Sequence, residues 1–286
     1  MMKRFFINQN DLSDKFWNIE YKGEEQIVHY GKIGTAGREM TKKFASEEEC
    51  QKESEKLIAQ KMKKGYVEVS PNEEIPAKIE MNEEEKAEFL FWEAIEKSYK
   101  YNKKKWEDYD IEEHLERLTS YLSKYGKERL VAFEKTLQEK LMVLYTAPIA
   151  ELYIILNCDF EKKDGVYYFE KEPYISTDGF IYFRCWLLLK GREFFEDITK
   201  DINAFISGKY HFDIGDTWAE GLLYVSDDAY SENHENEDES EIRDIVFEKY
   251  PQINYDNAGG IEGEIAGGKK LFEKYPALVK EICDLR

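Results

Sequence analysis

Cysteine is scarce in this sequence. Four residues, Cys50, Cys158, Cys185 and Cys283, lie far apart and form no CxxC pair, which argues against a disulfide framework or a zinc clip. Long apolar runs are missing too. Spanning a bilayer takes roughly 20 apolar residues, and the best stretch, LMVLYTAPIAELYIILNC, is broken by Pro148 and Glu151. The opening MMKRFFINQND has neither the apolar core nor the small-residue cleavage site of a secretory signal. The expectation is a reduced, soluble protein of the cytoplasm that makes no membrane contact. Catalytic strings are equally rare: no serine elbow, no cysteine with a nearby histidine, no DxDxDG loop. His29, His114, His211 and His234 stand alone, and His211-Phe212-Asp213 supplies two ligands at best, too few for a structural zinc site. No metal and no cofactor are expected.

What is present is apolar bulk and acid. Hydrophobic residues make up 42% and aromatics 15% of the 286 residues, enough to bury a core and to exclude wholesale disorder. That length suits one large or two ordinary domains. The net charge of −19 is unevenly spread, because residues 1–70 carry 13 Lys/Arg against 12 Asp/Glu and the rest of the chain holds the excess acid. Such asymmetry points to two domains with different partners. An acidic whole disfavours wholesale nucleic-acid binding but leaves room for a near-neutral module that does bind.

Residues 1–70 alternate as an antiparallel sheet does. KRFFINQ, KFWNIEY, QIVHYGKIG and EMTKKF are short, rich in aromatic or β-branched residues, and separated by turn formers. A helix follows, with Ser46 and Glu49 as its capping box, Cys50, Leu57, Ile58 and Met62 as its apolar stripe, and Gly65 as its end. YVEVS closes the unit as a strand. SPNEEIPAKIE then reads as a linker over 71–81. From Asn82 the period turns helical. Asn82 with Glu85 caps one helix, and Asp110 with Glu113 caps a second that carries Ile111, Leu115, Leu118 and Leu122 and stops at Gly126. Leu130, Phe133, Leu137, Leu141 and Leu144 line a third. IAELYIIL and GFIYFRCWLLL are apolar nearly all round and are expected to be the buried central helices, with an inserted hairpin or loop at 161–175 between them. The carboxylates of 227–248 read as a solvated helix face and loop. The fold class expected is α+β, a small sheet-plus-helix domain over 1–70 and a mainly helical domain over 82–286.

The stretch HYGKIGTAGR, residues 29–38, presents three glycines and a cluster of basic side chains at a tight turn. Phe16-Trp17, the YGKIGTAG turn, the KKF strand and a helix ending in KKGY recur in the order of the WGR domain, which this region resembles over about residues 3–70. The family is known from poly(ADP-ribose) polymerases and bacterial proteins of the molybdate-metabolism-regulator type. In its polymerase members the domain grips DNA ends, the motif's aromatic against sugar and its basic residue near phosphate. By position these are Tyr30, Gly31 and Lys32, with Arg38 and Lys43 on the expected footprint. Lysine at position 32 is a point charge without arginine's bidentate fork. The alternative is that Tyr30 is a core or rim aromatic and Gly31 serves only the sheet.

TDGFIYFRCWLLLKGREFFE, residues 177–196, with the upstream FWEAIEK, resembles a bacterial domain of unknown function, family 4240, over about residues 82–230. That family implies no chemistry. Asp178, Arg184 and Arg192 read as a buried ionic network or a small anion pocket. GEIAGGKK, residues 263–270, nearly spells a phosphate-binding loop, but Lys270 stands where Ser or Thr is needed and no buried strand precedes it.

These readings converge on a non-enzymatic bacterial adaptor or regulator. Its small module contacts nucleic acid, DNA ends or breaks, and its acidic domain engages a protein partner. The alternative is a pure interaction protein of the inhibitor or immunity type, whose acidity complements a basic partner. An enzyme built around Arg184 and Arg192 stays open as a third class.

Overall fold

Strands β1 (Met2–Gln9), β2 (Asp14–Lys22), β3 (Glu25–Lys32) and β4 (Arg38–Lys43) form an antiparallel meander, and β5 (Val67–Val69) joins the free side of β1. The protein is seen here as a computed structural model that describes residues 2–10, 13–70, 80–99, 109–169, 175–211, 214–232, 241–255 and 260–285. Its contacts divide it into two units, Met1–Lys86 and Ala87–Arg286. The expected linker falls almost wholly outside the described residues, as do Phe212, Asp213, residues 170–174 of the insertion and the 233–240 acidic run.

Cross-strand register sorts the sheet into two faces, because side chains alternate along each strand. Phe6 lies opposite Trp17, Ile19 opposite Val28, and Trp17 opposite Tyr30, so these share one face. Helix α1 (Glu47–Lys63) covers that face and buries Phe6, Trp17, Ile19 and Tyr21 against Cys50 and Ile58. Each large side chain so buried contributes about 1.5–3 kcal/mol. Two polar ties fix the helix: Gln26 Nε2 donates to Ser54 Oγ at 2.7 Å, and Asn8 Nδ2 to the Lys64 carbonyl at 2.9 Å. Glu49 N–H donates to Ser46 Oγ as the capping box requires. Met62 leaves the expected stripe and is 51% exposed. The stem of Lys61 takes the place over the sheet, its ammonium 5.4 Å from the Trp17 ring.

The second unit is mainly helical. Its elements are α2 (Glu83–Ser98), whose first turn falls in the first unit, then α3 (Ile111–Leu122), α4 (Lys127–Val143), α5 (Ala147–Asn157), α6 (Thr177–Leu189) and α7 (Arg192–Ile198). A hairpin of β6 (Glu161–Lys163) and β7 (Val166–Tyr168) separates α5 from α6, inside the expected insertion. After α8 (Val225–Ser231) and α9 (Glu241–Lys249) come α10 (Lys269–Lys274) and α11 (Pro276–Leu285). The α3 and α4 stripes expected from periodicity are all buried, and α5 and α6 are apolar inside the core. Gly126 does not stop α3, which ends at Leu122. It is instead the N-cap of α4, because the loop between the two helices is only a few residues long.

Buried acids tie this unit together. Asp227, expected on a solvated face, is buried and accepts from the Ile242 N–H at 2.8 Å and from Arg243 Nε at 2.5 Å, docking the first turn of α9 on α8. Glu151 is fully buried and accepts from the Ala266 N–H, Lys274 Nζ and Tyr275 OH at 2.6–2.9 Å. The GEIAGGKK segment is therefore a strap whose Ala266 is tied to α5. No helix among the described residues is long and apolar enough to cross a membrane.

Candidate nucleic-acid interface

The KKGY string builds one wall of a cleft in the first unit. Gly65, at φ +81°, turns the chain out of α1. Its N–H donates to the Met62 carbonyl, and the Tyr66 N–H donates to the Lys61 carbonyl. This is the paired bonding of a Schellman motif, which brings the residue after the glycine back onto the last helical turn. Tyr66 accordingly lies beside Lys61, with the ammonium 5.0 Å from its ring. The opposite wall is sheet. Lys15 at the start of β2 stands directly across from Lys32 at the end of β3, and Tyr30 is two residues before Lys32 on the same face. Asn10, Ser13, Lys15, Tyr30, Lys32, Lys61 and Tyr66 line a cleft of about 500 Å³.

The floor of the turn explains the glycines. The loop after β3 folds back so that His29 Nε2 meets the Ala36 carbonyl at 2.7 Å and Thr35 Oγ1 donates to the Lys32 carbonyl at 2.8 Å. Phe16 packs edge-on against His29, ring centroids 4.9 Å apart. Gly31 and Gly37 pass each other in that fold, with no space for a side chain on either.

The electrostatics of the cleft are one-sided. Like charges directly opposite one another on a sheet are destabilising, and Lys15 and Lys32 form such a pair. Burial, then Lys64 and Lys15, hold the Lys61 ammonium below its ordinary value. Among the described residues no carboxylate is paired with Lys15, Lys32 or Lys61. Asp14 lies at the rim, where it accepts from Gln9 Nε2 at 3.3 Å. Acid is gathered elsewhere on the same face: Arg4 bridges Glu68 and Glu55, and burial with the Glu55 hydrogen bond pushes the Tyr21 hydroxyl up to about 12. The face thus has a basic end at Lys15, Lys32 and Lys61 and a neutralised end at Arg4.

The residues expected from sequence are partly united. Tyr30 and Lys32 line the cleft, and Arg38 stands opposite Tyr30 on the same face, exposed. Gly31 contributes backbone only. Lys43 lies on the other face of the sheet by strand alternation and sits 4.0 Å from Glu25, so it does not join this group. Lys61 belongs to the basic helix C-terminus expected to share the footprint, whereas Lys15 and Tyr66 were absent from the expected set. The signal for Lys15 was a charged residue in phase with Trp17, and that for Lys61 a lysine one turn past Leu57.

Asp178, Arg184 and Arg192 do not assemble. Arg184 is buried, donates to the Leu141 carbonyl at 2.8 Å and the Phe180 carbonyl at 3.3 Å, and lies over the Tyr145 and Phe180 rings. Asp178 is exposed in the first turn of α6. Arg192 pairs with Glu196 at 2.7 Å on a half-exposed surface. No bond joins any two of the three. Main-chain carbonyls and two aromatic rings thus hold the buried guanidinium, and the three residues do not form one site.

A five-stranded sheet with one helix laid across it and a basic cleft at its end, followed in the chain by a helical unit, defines a two-part protein. The WGR domain model matches residues 3–73, and WGR domains bind nucleic acid. The model described as protein of unknown function (DUF4240) matches residues 86–232, just over half of the chain, and the chain belongs to that family. Among curated relatives, "Uncharacterized protein YfeS" of Escherichia coli (strain K12) is 54% identical over 67 residues, 23% of this chain and 28% of its own. "Protein YehF" of the same organism is 45% identical over 65 residues, 23% of this chain and 24% of its own. The chain thus spans about a quarter of either relative. A crystal structure of a Bacteroides fragilis protein is 32% identical, covering 46% of this chain and 40% of that one at a TM-score of 0.25.

Proposed function

We propose that this protein is a non-enzymatic adaptor whose WGR domain holds the end of a DNA strand in the Lys15–Lys32–Lys61 cleft, while the acidic helical unit engages a protein partner. The observation that carries the reading is the opposed lysine pair. Two cations face each other across the strands and a third is half-buried beside them, and none of the three has a carboxylate partner among the described residues. A fold that keeps such repulsion loses stability unless an anion relieves it, and a cleft lined by three lysines attracts a phosphate. Tyr30 lies at the cleft edge, where its ring can lie against a sugar or base. The tyrosine and lysine in place of the motif's Trp and Arg still supply a flat face and a charge, though without bidentate geometry.

The test is a fluorescence-anisotropy titration of the full chain with a short labelled duplex at two salt concentrations. Lys32→Ala is expected to lower the salt slope by about one unit, because it removes one phosphate contact. Tyr30→Ala is expected to weaken binding with little change of slope. Absence of binding at low salt would overturn the proposal and leave the interaction-protein reading in front.

A further inference from the structure

A second groove lies on the helix side of the same sheet. Helix α1 crosses β1, β2 and the first half of β3, where Gln26 is pinned to Ser54, and leaves the second half of β3 and β4 uncovered. Val28 is opposite Met40, and Tyr30 opposite Arg38, so the uncovered strip presents Val28, Tyr30 and Met40 on the helix face. Leu57 and Phe44 wall it, and Trp17 forms its floor, giving a groove of about 460 Å³. Met40 is 61% exposed, and the Tyr30 hydroxyl is 3.7 Å from its sulfur.

The rim is cationic. Lys42 stands 4.3 Å over the Phe44 ring and Lys61 lies 5.4 Å over the Trp17 ring. Neither has a carboxylate partner among the described residues. The one acid of the lining, Glu53, is 3.7 Å from Lys56, which also lines the groove. An apolar, aromatic-walled trough bordered by free lysines fits a flat base attached to an anionic backbone, the arrangement by which single-stranded nucleic acid is held. An apolar peptide segment would have no use for the lysines. The groove is also continuous with the cleft described above, since Tyr30 and Lys61 line both.

We infer that this second groove takes unpaired bases of a single-stranded extension running on from the strand end in the lysine cleft. Met40, Phe44 and Tyr30 supply the stacking surfaces, with Met40 as the adaptable one, while Lys42 and Lys61 follow the backbone. This rests on the nucleic-acid reading above, and the experiment separates the two. The full chain is titrated with three labelled duplexes: blunt, extended by four thymidines, and extended by four abasic nucleotides, each extension tried on either strand.

The thymidine extension on one strand should tighten binding about tenfold over blunt, and the abasic extension should not, because it keeps the phosphates and loses the stacking. Met40→Asn should erase that gain and leave blunt affinity within about twofold, while Met40→Leu retains it. Equal affinity for blunt and extended duplexes overturns the inference and leaves the DNA-end reading standing. So does an abasic gain as large as the thymidine gain, or a gain that survives Met40→Asn. In those cases the groove becomes a candidate for an apolar peptide. Failure to bind the blunt duplex and the extended ones alike overturns both.

Discussion

A Cβ placed on Gly31 would lie 2.7 Å from the Cα of Gly37, and a Cβ on Gly37 would lie 2.5 Å from the Phe16 ring and 2.7 Å from the Tyr30 carbonyl. The two glycines are one structural device. They let the loop after β3 fold flat against β2 and β3, which orients the end of β3 where Tyr30 and Lys32 stand. Gly37 is also at φ +68°, a left-handed conformation. Gly34 is at φ +84°, yet an added Cβ there meets nothing within 4 Å.

The pair of substitutions therefore separates strain from collision. Gly34→Ala is expected to cost only the left-handed backbone penalty, about 1–2 kcal/mol. Gly37→Ala adds the collision with Phe16 and should cost about 3 kcal/mol or more. Urea unfolding followed through tryptophan fluorescence checks the order. Equal costs would mean that the loop moves away freely and that the close approach is not what the glycine serves.

Lys61 offers a second separation, because its stem packs while its head carries charge. Lys61→Met keeps the apolar stem over Trp17 and removes the ammonium. Stability should stay within about 0.5 kcal/mol. Duplex binding should weaken and its salt slope fall by about one unit. A loss of stability without a change in slope would assign Lys61 to packing alone.

Much of the fold was legible because it is local. Ser46 with Glu49, Asn82 with Glu85, and Asp110 with Glu113 all make their expected bonds, since a cap involves residues three apart. The stripes of α3 and α4 follow from one helical period. The site was less legible because its parts meet across elements. Lys15, Lys61 and Tyr66 come together only after α1 has been laid over β2 and β3, and no spacing in the chain records that crossing. Lys43 was misplaced for a different reason: alternation divides β4 into two sets, but only pairing with β3 says which set faces the helix. Asp227 and Glu151 escaped as well. An acid in an apolar stretch reads as an interruption until the donors that satisfy it, such as Arg243 or Tyr275, arrive from elsewhere in the chain.

Asp227 gives a third prediction. Its carboxylate holds the Ile242 N–H and Arg243 Nε, so truncation leaves a cation and a helix start without their acceptor. Asp227→Ala should destabilise the second unit by about 3 kcal/mol. Asp227→Asn retains one carbonyl acceptor and should cost less. Urea midpoints of the two variants, compared at one pH, check the ranking, and a ranking reversed would show that Arg243 finds another partner.

Glu134 and His114 give the last, which concerns pH. Glu134 is fully buried, accepts from Ser226 Oγ at 2.6 Å and Gln138 Nε2 at 3.0 Å, and burial with a contribution from Asp227 lifts its carboxyl to about 7. His114 is buried between the Tyr109 hydroxyl and the Ile95 carbonyl, and burial lowers its imidazole to about 4. Unfolded, the two groups titrate near roughly 4.3 and 6.5. Between about 4.5 and 7 the folded chain binds more protons at Glu134 than the unfolded one, so that residue makes stability fall as pH rises. Between about 4 and 6.5 the unfolded chain binds more protons at position 114, so His114 makes stability fall as pH drops. The slopes are opposite and each is at most about 1.4 kcal/mol per pH unit, so over their shared range they nearly cancel. Removing either group should expose the other. Glu134→Gln should lose stability from pH 7 to pH 5, and His114→Gln should gain it over the same interval, each by on the order of 2 kcal/mol relative to the flat wild type. Urea midpoints of the three proteins at half-unit pH steps measure this directly. Parallel profiles for the two variants would mean that neither buried group is held away from its ordinary titration by the fold.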